Sequence, residues 1–362
     1  MIKKVASVLL TVSVIFSCGR DTGNLELTEE QFVEDRIDSL LSVMTLRVKF
    51  RLNLFEKPYS KPSDYPDFAS EKFAEASFRA AAESITLLKN KNNILPLGKE
   101  RKRFLKTDYI LCCLGEKPAT EKPSDIDELE LPDAQVDLVK KMALTGKPVI
   151  VILVQSRPRI IRELEPYADA ILMAYLPGNE GGRALASIVA GDISPSGKLP
   201  YTWPKYSGSI MPYYHKGTDK LDKAFGPNGF DPQYEFGYGL SYTNFEYSNL
   251  SFNTDAIEDD QTLEVSFTVK NTGEYKGKEV IQVYIRDQFA SVSPDAKRLV
   301  DFLKVGLSPG KDTSISVLVP AGRLAFVNTQ NKRVVEEGRF DMFVGGNPKN
   351  LMHKNFYLNK DE

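Results

Sequence analysis

The chain has 362 residues, a formal net charge of −2 at pH 7 and two histidines. Its length allows two or three domains, each with a core of its own, and its interspersed charges give no electrostatic case for a nucleic-acid partner. His215 and His353, far apart and without neighbouring cysteines, disfavour a zinc site or a Ser-His-Asp triad, so acid–base chemistry should rest on carboxylates without metal or cofactor.

The first eighteen residues read as an export signal: Lys3 and Lys4, the apolar run VASVLLTVSVIF, then Ser17 and Cys18. The apolar run is too short to span a bilayer comfortably. Ser17–Cys18 resembles a bacterial lipobox, whose cysteine is lipidated and becomes the mature N-terminus; the alternative is an ordinary secretory signal with a chance cysteine. CGRDTGNLELTEE then turns polar, like a tether. The expectation is an exported protein of the bacterial cell envelope, in the periplasm or at the outer membrane, held to the membrane by a lipid on Cys18. Cys112 and Cys113, adjacent in an apolar strand, read as buried core thiols.

In TEEQFVEDRIDSLLSVMTL, Phe32, Val33, Ile37, Leu40, Leu41 and Met44 form one helical stripe. RVKFRLNLFEKPYSKPSDYP, basic and then proline-rich, reads as a linker or wrapping segment. SEKFAEASFRAAAESITLLKN opens as a helix with Phe73, Phe78, Ala81 and Ile85 on one face. The pattern then alternates. Tyr109 to Leu114 is a strand, and Asp133 to Thr145 is an amphipathic helix with Pro132 at its start and Gly146 stopping it. PVIVILV and DAILMAYL are further strands, and NEGGRALASIVAGD is a helix closed by Gly191. Continuous apolar strands separated by helices predict a mostly parallel sheet covered on both faces.

From about Leu250 the period falls to two. Leu263, Val265, Phe267 and Val269 alternate against polar neighbours, which predicts an antiparallel β-sandwich of roughly a hundred residues. The fold class is thus α/β followed by all-β. The boundaries expected are 1–18 for the signal, 19–66 for the tether and linker, 67–248 for the α/β domain and 249–362 for the sandwich.

GEKPATEKPSD, residues 115–125, follows the apolar run YILCCLG and holds Glu116 and Glu121 with two prolines and no helical period. Ligands of parallel sheets sit beyond the carboxyl ends of strands, and this loop lies at such an end. A stiff loop there can present a catalytic acid. The bland alternative is a surface glutamate balanced by Lys117 and Lys122.

Several stretches together resemble glycoside hydrolase family 3, the β-glucosidase-like enzymes. They are AAAESITLLKNKNNILPL, CLGEKPATEKPSDI, TGKPVIVILVQSRPRII, AYLPGNEGGRALASIVAGDISPSGKLPYTWP and EFGYGLSYTNFEYSNL. VKNTGEYKGKEVIQVYI and LVDFLKVGLSPGK resemble the fibronectin type III-like domain that ends many members. The resemblance covers nearly everything after residue 30. It implies retaining hydrolysis of a β-glycoside or oligosaccharide. An aspartate on a (β/α)8 barrel attacks the anomeric carbon, and a glutamate of the following α/β domain protonates the leaving oxygen. The residue matching that acid/base, the glutamate after threonine, is Glu121. Glu116 suits holding the loop, and Lys122 and Asp125 are candidate binding residues beside it.

The sequence also departs from the family. DRIDSLLSVMTL resembles the helix before the barrel and RVKFRLNLFEKPY the segment after it, yet Leu46 joins directly to Arg47. Residues 19–66 then read as a tether and the remnants flanking a missing barrel of about 250 residues, and the nucleophile has no counterpart. A second gap lies near LPLGKERKRFLKTDYILCC, where a basic run replaces expected strands. Trp203, in LPYTWP, reads as core or turn packing. Without a partner carboxylate, Glu121 should titrate near an ordinary value of about 4.3 and be ionised at neutral pH. Three readings stay open: a glycosidase whose barrel is supplied in trans, a non-catalytic envelope lipoprotein binding carbohydrate or a protein partner, and a decayed gene product.

Overall fold

The computed structural model describes residues 67, 70–97, 109–117, 122–209, 212–216 and 231–359. Cys18, the Leu46–Arg47 junction, the basic run after Leu97 and Glu121 lie outside the described residues.

Helix α1 (Glu71–Ser84) begins where the Ser70 hydroxyl accepts the Phe73 N–H, 3.4 Å away, an N-cap that satisfies one orphan donor. Ala81 and Ala82 are buried, but Phe73 in the first turn is half-exposed rather than on the core face. Ile85 caps the helix instead of extending it, and Thr86–Asn90 forms strand β1. The β-branched pair Ile85–Thr86 followed by two leucines suits extended backbone better than another helical turn.

Strands β2 (Ile110–Gly115), β3 (Val149–Val154) and β4 (Ala170–Met173) are parallel neighbours, and β1 joins β4 antiparallel, giving the order β1-β4-β3-β2. The sheet is mostly parallel, as the apolar runs predict. Helices α1 and α3 (Gly181–Ala190) pack on the face that carries Ile150, Ile152 and Leu172. Helix α2 (Asp133–Ala143) brings Val139 to the other, against Val149, Val151 and Leu153.

Gly191, left-handed at φ 87°, closes α3 as expected. Helix α2 ends at Ala143, before the expected Thr145, and Leu144 is 86% exposed. No apolar contact rewards a further turn there. Cys112 is buried, whereas Cys113 is exposed. Strand β2 is an edge, and its face carrying Leu111 and Cys113 is open. Trp203 is fully buried, with its indole N–H donated to Arg159 O at 2.9 Å.

The sandwich starts at Phe245, slightly earlier than the alternation suggested. One sheet has the order β10 (Asp312–Pro320), β7 (Thr262–Asn271), β5 (Phe245–Phe252). The other runs β6 (Ala256–Ile257), β14 (Asn350–Leu358), β13 (Gly338–Asn347), β8 (Gly277–Asp287), β9 (Arg298–Leu307). A two-stranded hairpin, β11 (Phe326–Val327) with β12 (Arg333–Val334), borders one end. Leu263, Val265, Phe267 and Val269 all point inward, against Ile281, Val283, Phe340 and Met342, as their period-two spacing requires.

Residues Ala69–Glu362 form one compact unit. Gln282 of β8 donates to Gly237 O at 3.0 Å, and Glu83 at the end of α1 pairs with both Lys278 and Lys304. These contacts fix the α/β half against the sandwich.

Candidate functional site

The root of the 115–125 loop is built by the carboxyl ends of β2 and β3. Gly115 has φ 139°, and a Cβ there would sit 1.9 Å from Val154 O, so only glycine fits against the neighbouring strand. The backbone N–H and C=O of Gly115 bond reciprocally with the Gln135 side chain of α2, both at 2.9 Å, and Glu116 N–H donates to Val154 O at 3.0 Å. The strand therefore ends in a fixed direction.

Glu116 is then gripped by the segment after β3. Arg159 Nε donates to Glu116 Oε1 at 2.8 Å, and Arg157 Nε lies 3.2 Å from the same oxygen. Ser156 supplies its backbone N–H and hydroxyl to Oε2 at 3.2 and 3.3 Å. Burial alone would raise this carboxyl. The Arg159 hydrogen bond, the Ser156 N–H and the Arg157 charge outweigh that and hold it below the usual glutamate range. Glu116 is thus a fixed anion and no proton donor. It is a loop anchor.

Further along, Lys122–Ser124 form a single 3-10 turn closed by Asp125 N–H on Lys122 O at 3.0 Å. Arg157 donates to Ser124 O at 2.7 Å, so the residue that braces Glu116 also ties the returning end of the loop. A cavity of about 350 Å³ opens here, lined among others by Glu116, Lys117, Asp125, Gln135, Ser156 and Arg159. The structure thus brings Glu116 and Asp125 to one cavity. Lys122 is exposed on the turn outside that lining.

Sequence reasoning missed Arg157, Arg159, Ser156 and Gln135. A signal existed for the first three: they follow the next parallel strand, and neighbouring strands deliver their following residues to the same edge. Gln135 carried none, because its role depends on how α2 crosses the sheet. Among the described residues no three His, Cys, Asp or Glu side chains gather to hold a metal, and no helix is long and apolar enough to cross a membrane.

Comparison with known proteins agrees with this architecture. Residues 102–242 match the model of the glycosyl hydrolase family 3 C-terminal domain, and 279–347 match a fibronectin type III-like domain. A lysosomal beta glucosidase of Dictyostelium discoideum is 33% identical over 86% of this chain and 48% of its own length. A periplasmic beta-glucosidase of Salmonella typhimurium is 34% identical over 69% of this chain and 34% of its own length. The crystal structure of a beta-glucosidase from Listeria innocua in complex with glucose superposes with TM-score 0.76 at 27% identity, covering 87% of this chain and 53% of that one. The chain spans about half or less of the length of the curated relatives it matches, and 53% of that solved chain. Through its α/β domain and the fibronectin type III-like domain that follows, the chain belongs to glycoside hydrolase family 3.

Proposed function

We propose that the chain supplies the acid-bearing half of a retaining β-glycosidase site, of β-glucosidase or β-xylosidase type, and does not hydrolyse glycosides alone. Glu121 is the acid/base in this reading, and β-glycosides or oligosaccharides are the ligand class. The observation that carries it is the clamp on Glu116, which fixes a carboxylate-bearing loop at the carboxyl end of β2, with Glu121 five residues downstream. A bare surface loop has no need of two arginines and a reciprocal glutamine bond at its root.

Retaining hydrolysis needs a second carboxylate about 5–5.5 Å from the first. No residue of this sequence matches the family's nucleophile, so a barrel-bearing partner in trans would complete the site. The test is turnover of aryl β-glucosides and aryl β-xylosides, whose activated leaving groups need little acid assistance. The expected result is no rate above background for the purified chain, unchanged in Glu121→Gln. With a family 3 barrel added in trans, activity should appear, and Glu121→Gln should depress it most for poor leaving groups. Turnover by the chain alone, lost in Glu121→Gln, overturns the reading.

A second reading, an envelope lipoprotein that binds carbohydrate or a protein without turnover, draws on Ser17–Cys18 and the polar run after it. In it the protein partitions into a detergent phase, and Cys18→Ala releases it or blocks its processing. Unchanged partitioning of that variant removes the lipid anchor.

A further inference from the structure

We propose that the open end of the β-sandwich binds an acidic monosaccharide unit, a hexuronate, through Arg298, Arg333 and Asp287. The site is built mainly by the fibronectin type III-like domain, with Lys216 also in its lining, and is separate from the Glu116 cavity.

Strand β8 sends Ile281, Val283 and Ile285 into the sandwich core, and the same period carries Asp287 inward at the end of the strand. On β9, Arg298 stands in register with Ile285 and precedes the buried Val300 by two residues, so it too starts on the inner face. An aliphatic side chain would close an apolar core at both positions at lower cost. Instead a cavity of about 410 Å³ opens there, between residues 290–295, the turn Ala321–Leu324 and the β11–β12 hairpin. That volume lies within the range of small-molecule sites, roughly 300–1,000 Å³.

Charged side chains crowd this cavity. Lys216 pairs with Asp295 at 2.6 Å, and Arg286 with Asp341 at 2.6 Å. Arg298 donates to three backbone carbonyls, Ala325 at 2.7 Å, Leu324 at 2.9 Å and Arg323 at 3.0 Å. Those bonds lock its guanidinium plane, and its charge acts on Asp287 in the same lining. Arg333 donates to Gly322 O at 3.2 Å. Among the described residues neither arginine has a carboxylate within ion-pair distance. Asp287 accepts the Phe289 N–H at 3.0 Å. Burial raises its carboxyl to about 6, with a smaller push from Glu336, against the Phe289 N–H bond and the Arg298 charge, which lower it.

Two guanidiniums and one desolvated carboxylate facing the same cavity select a ligand of mixed chemistry. A ligand carboxylate satisfies the arginines, which are planar forks suited to that group. Ring hydroxyls donate to Asp287. Phe326 and Val327, also in the lining, offer an apolar wall to the C–H face of a pyranose.

The experiment is calorimetric titration of the full purified chain with glucuronate, glucose and sulfate. Glucuronate is expected to bind at least about tenfold tighter than glucose, since a charge-assisted carboxylate contact is lost in the neutral sugar. Arg333→Gln, which touches only one carbonyl, should weaken glucuronate about tenfold while leaving the thermal midpoint unchanged. Asp287→Asn should bring glucuronate affinity down towards that of sulfate. Absence of glucuronate binding, equal affinity for glucose, or sulfate binding as tight as glucuronate would each overturn the proposal.

Discussion

Lys198 Nζ, in the α/β half, lies 3.4 Å from a carboxylate oxygen of Glu279 in the sandwich, and both side chains are almost fully buried. Tyr247 donates to the other Glu279 oxygen at 3.2 Å, and Lys198 donates to Gly239 O at 2.8 Å. Burial still raises the Glu279 carboxyl, because Lys198 and Tyr247 only partly offset the loss of water. The pair costs free energy to bury, yet neither member tolerates losing the other.

Lys198→Met should therefore destabilise the chain by about 3–5 kcal/mol, the usual cost of stranding one buried charge. The double variant Lys198→Met/Glu279→Gln should recover part of that loss. Urea unfolding at pH 7 measures both, and additive losses would show that the two residues do not act as a pair.

Glu116→Gln should cost about 1–3 kcal/mol, since it leaves Arg157 and Arg159 without their shared anion. The folded-state pKa of Glu116 lies below its unfolded value, so its stabilisation is present above the ordinary glutamate pKa. It is lost as pH falls through the lowered one. The variant should consequently show a shallower acid limb in a stability-versus-pH profile measured by urea midpoints.

For Asp287 the sign reverses. Its carboxyl sits at about 6 when folded, against 3.8 unfolded, so the folded chain binds the extra proton between those values. Stability should fall as pH rises from about 4 to about 6 and stay flat above. Asp287→Asn keeps the bond from Phe289 and should remove that slope. It should gain about 1 kcal/mol at pH 7, after discounting for screening at a half-exposed group. A profile of thermal midpoints from pH 4 to pH 8 reads the difference.

Trp203 is the single tryptophan, so intrinsic fluorescence follows the α/β half alone. Among the described residues β2 is an edge strand of that half's sheet, while the sandwich core is continuous, so the fluorescence transition in urea should precede the loss of β-signal in circular dichroism. A sandwich that unfolds first would reverse the order.

The parts of the fold legible in the sequence were those set by repeating local pattern. Val149–Val154 and Leu263–Val269 declare a buried strand and a half-buried strand by their periods alone. Gly191 declares a helix end. Thr86–Asn90 was not legible, because its leucines continue the helical stripe of α1, and only pairing with β4 makes that stretch a strand. Cys113 looked buried because its run is uniformly apolar, but burial depends on which strand forms the edge, a property of the whole sheet. At the candidate site the position of Glu116 just after a strand was legible, and its hydrogen-bond partners were not. Arg157 and Arg159 were missed although they follow the neighbouring parallel strand, since their partner lies some forty residues away and the contact exists only once β2 and β3 lie side by side.

The double pairing of Glu83 with Lys278 and Lys304 has a mechanical side. Helix α1 begins at Ser70, where the described fold starts, and Glu83 stands at its far end, so a pull on the N-terminal side of the chain runs along the helix axis to that residue. There the two lysines, on neighbouring strands β8 and β9, share the load with a sheet that resists shear across a full ladder of hydrogen bonds. Strand β1, which follows immediately, is spared the role of first link to be peeled. Tension entering at Ser70 thus reaches the sandwich before it reaches the parallel sheet.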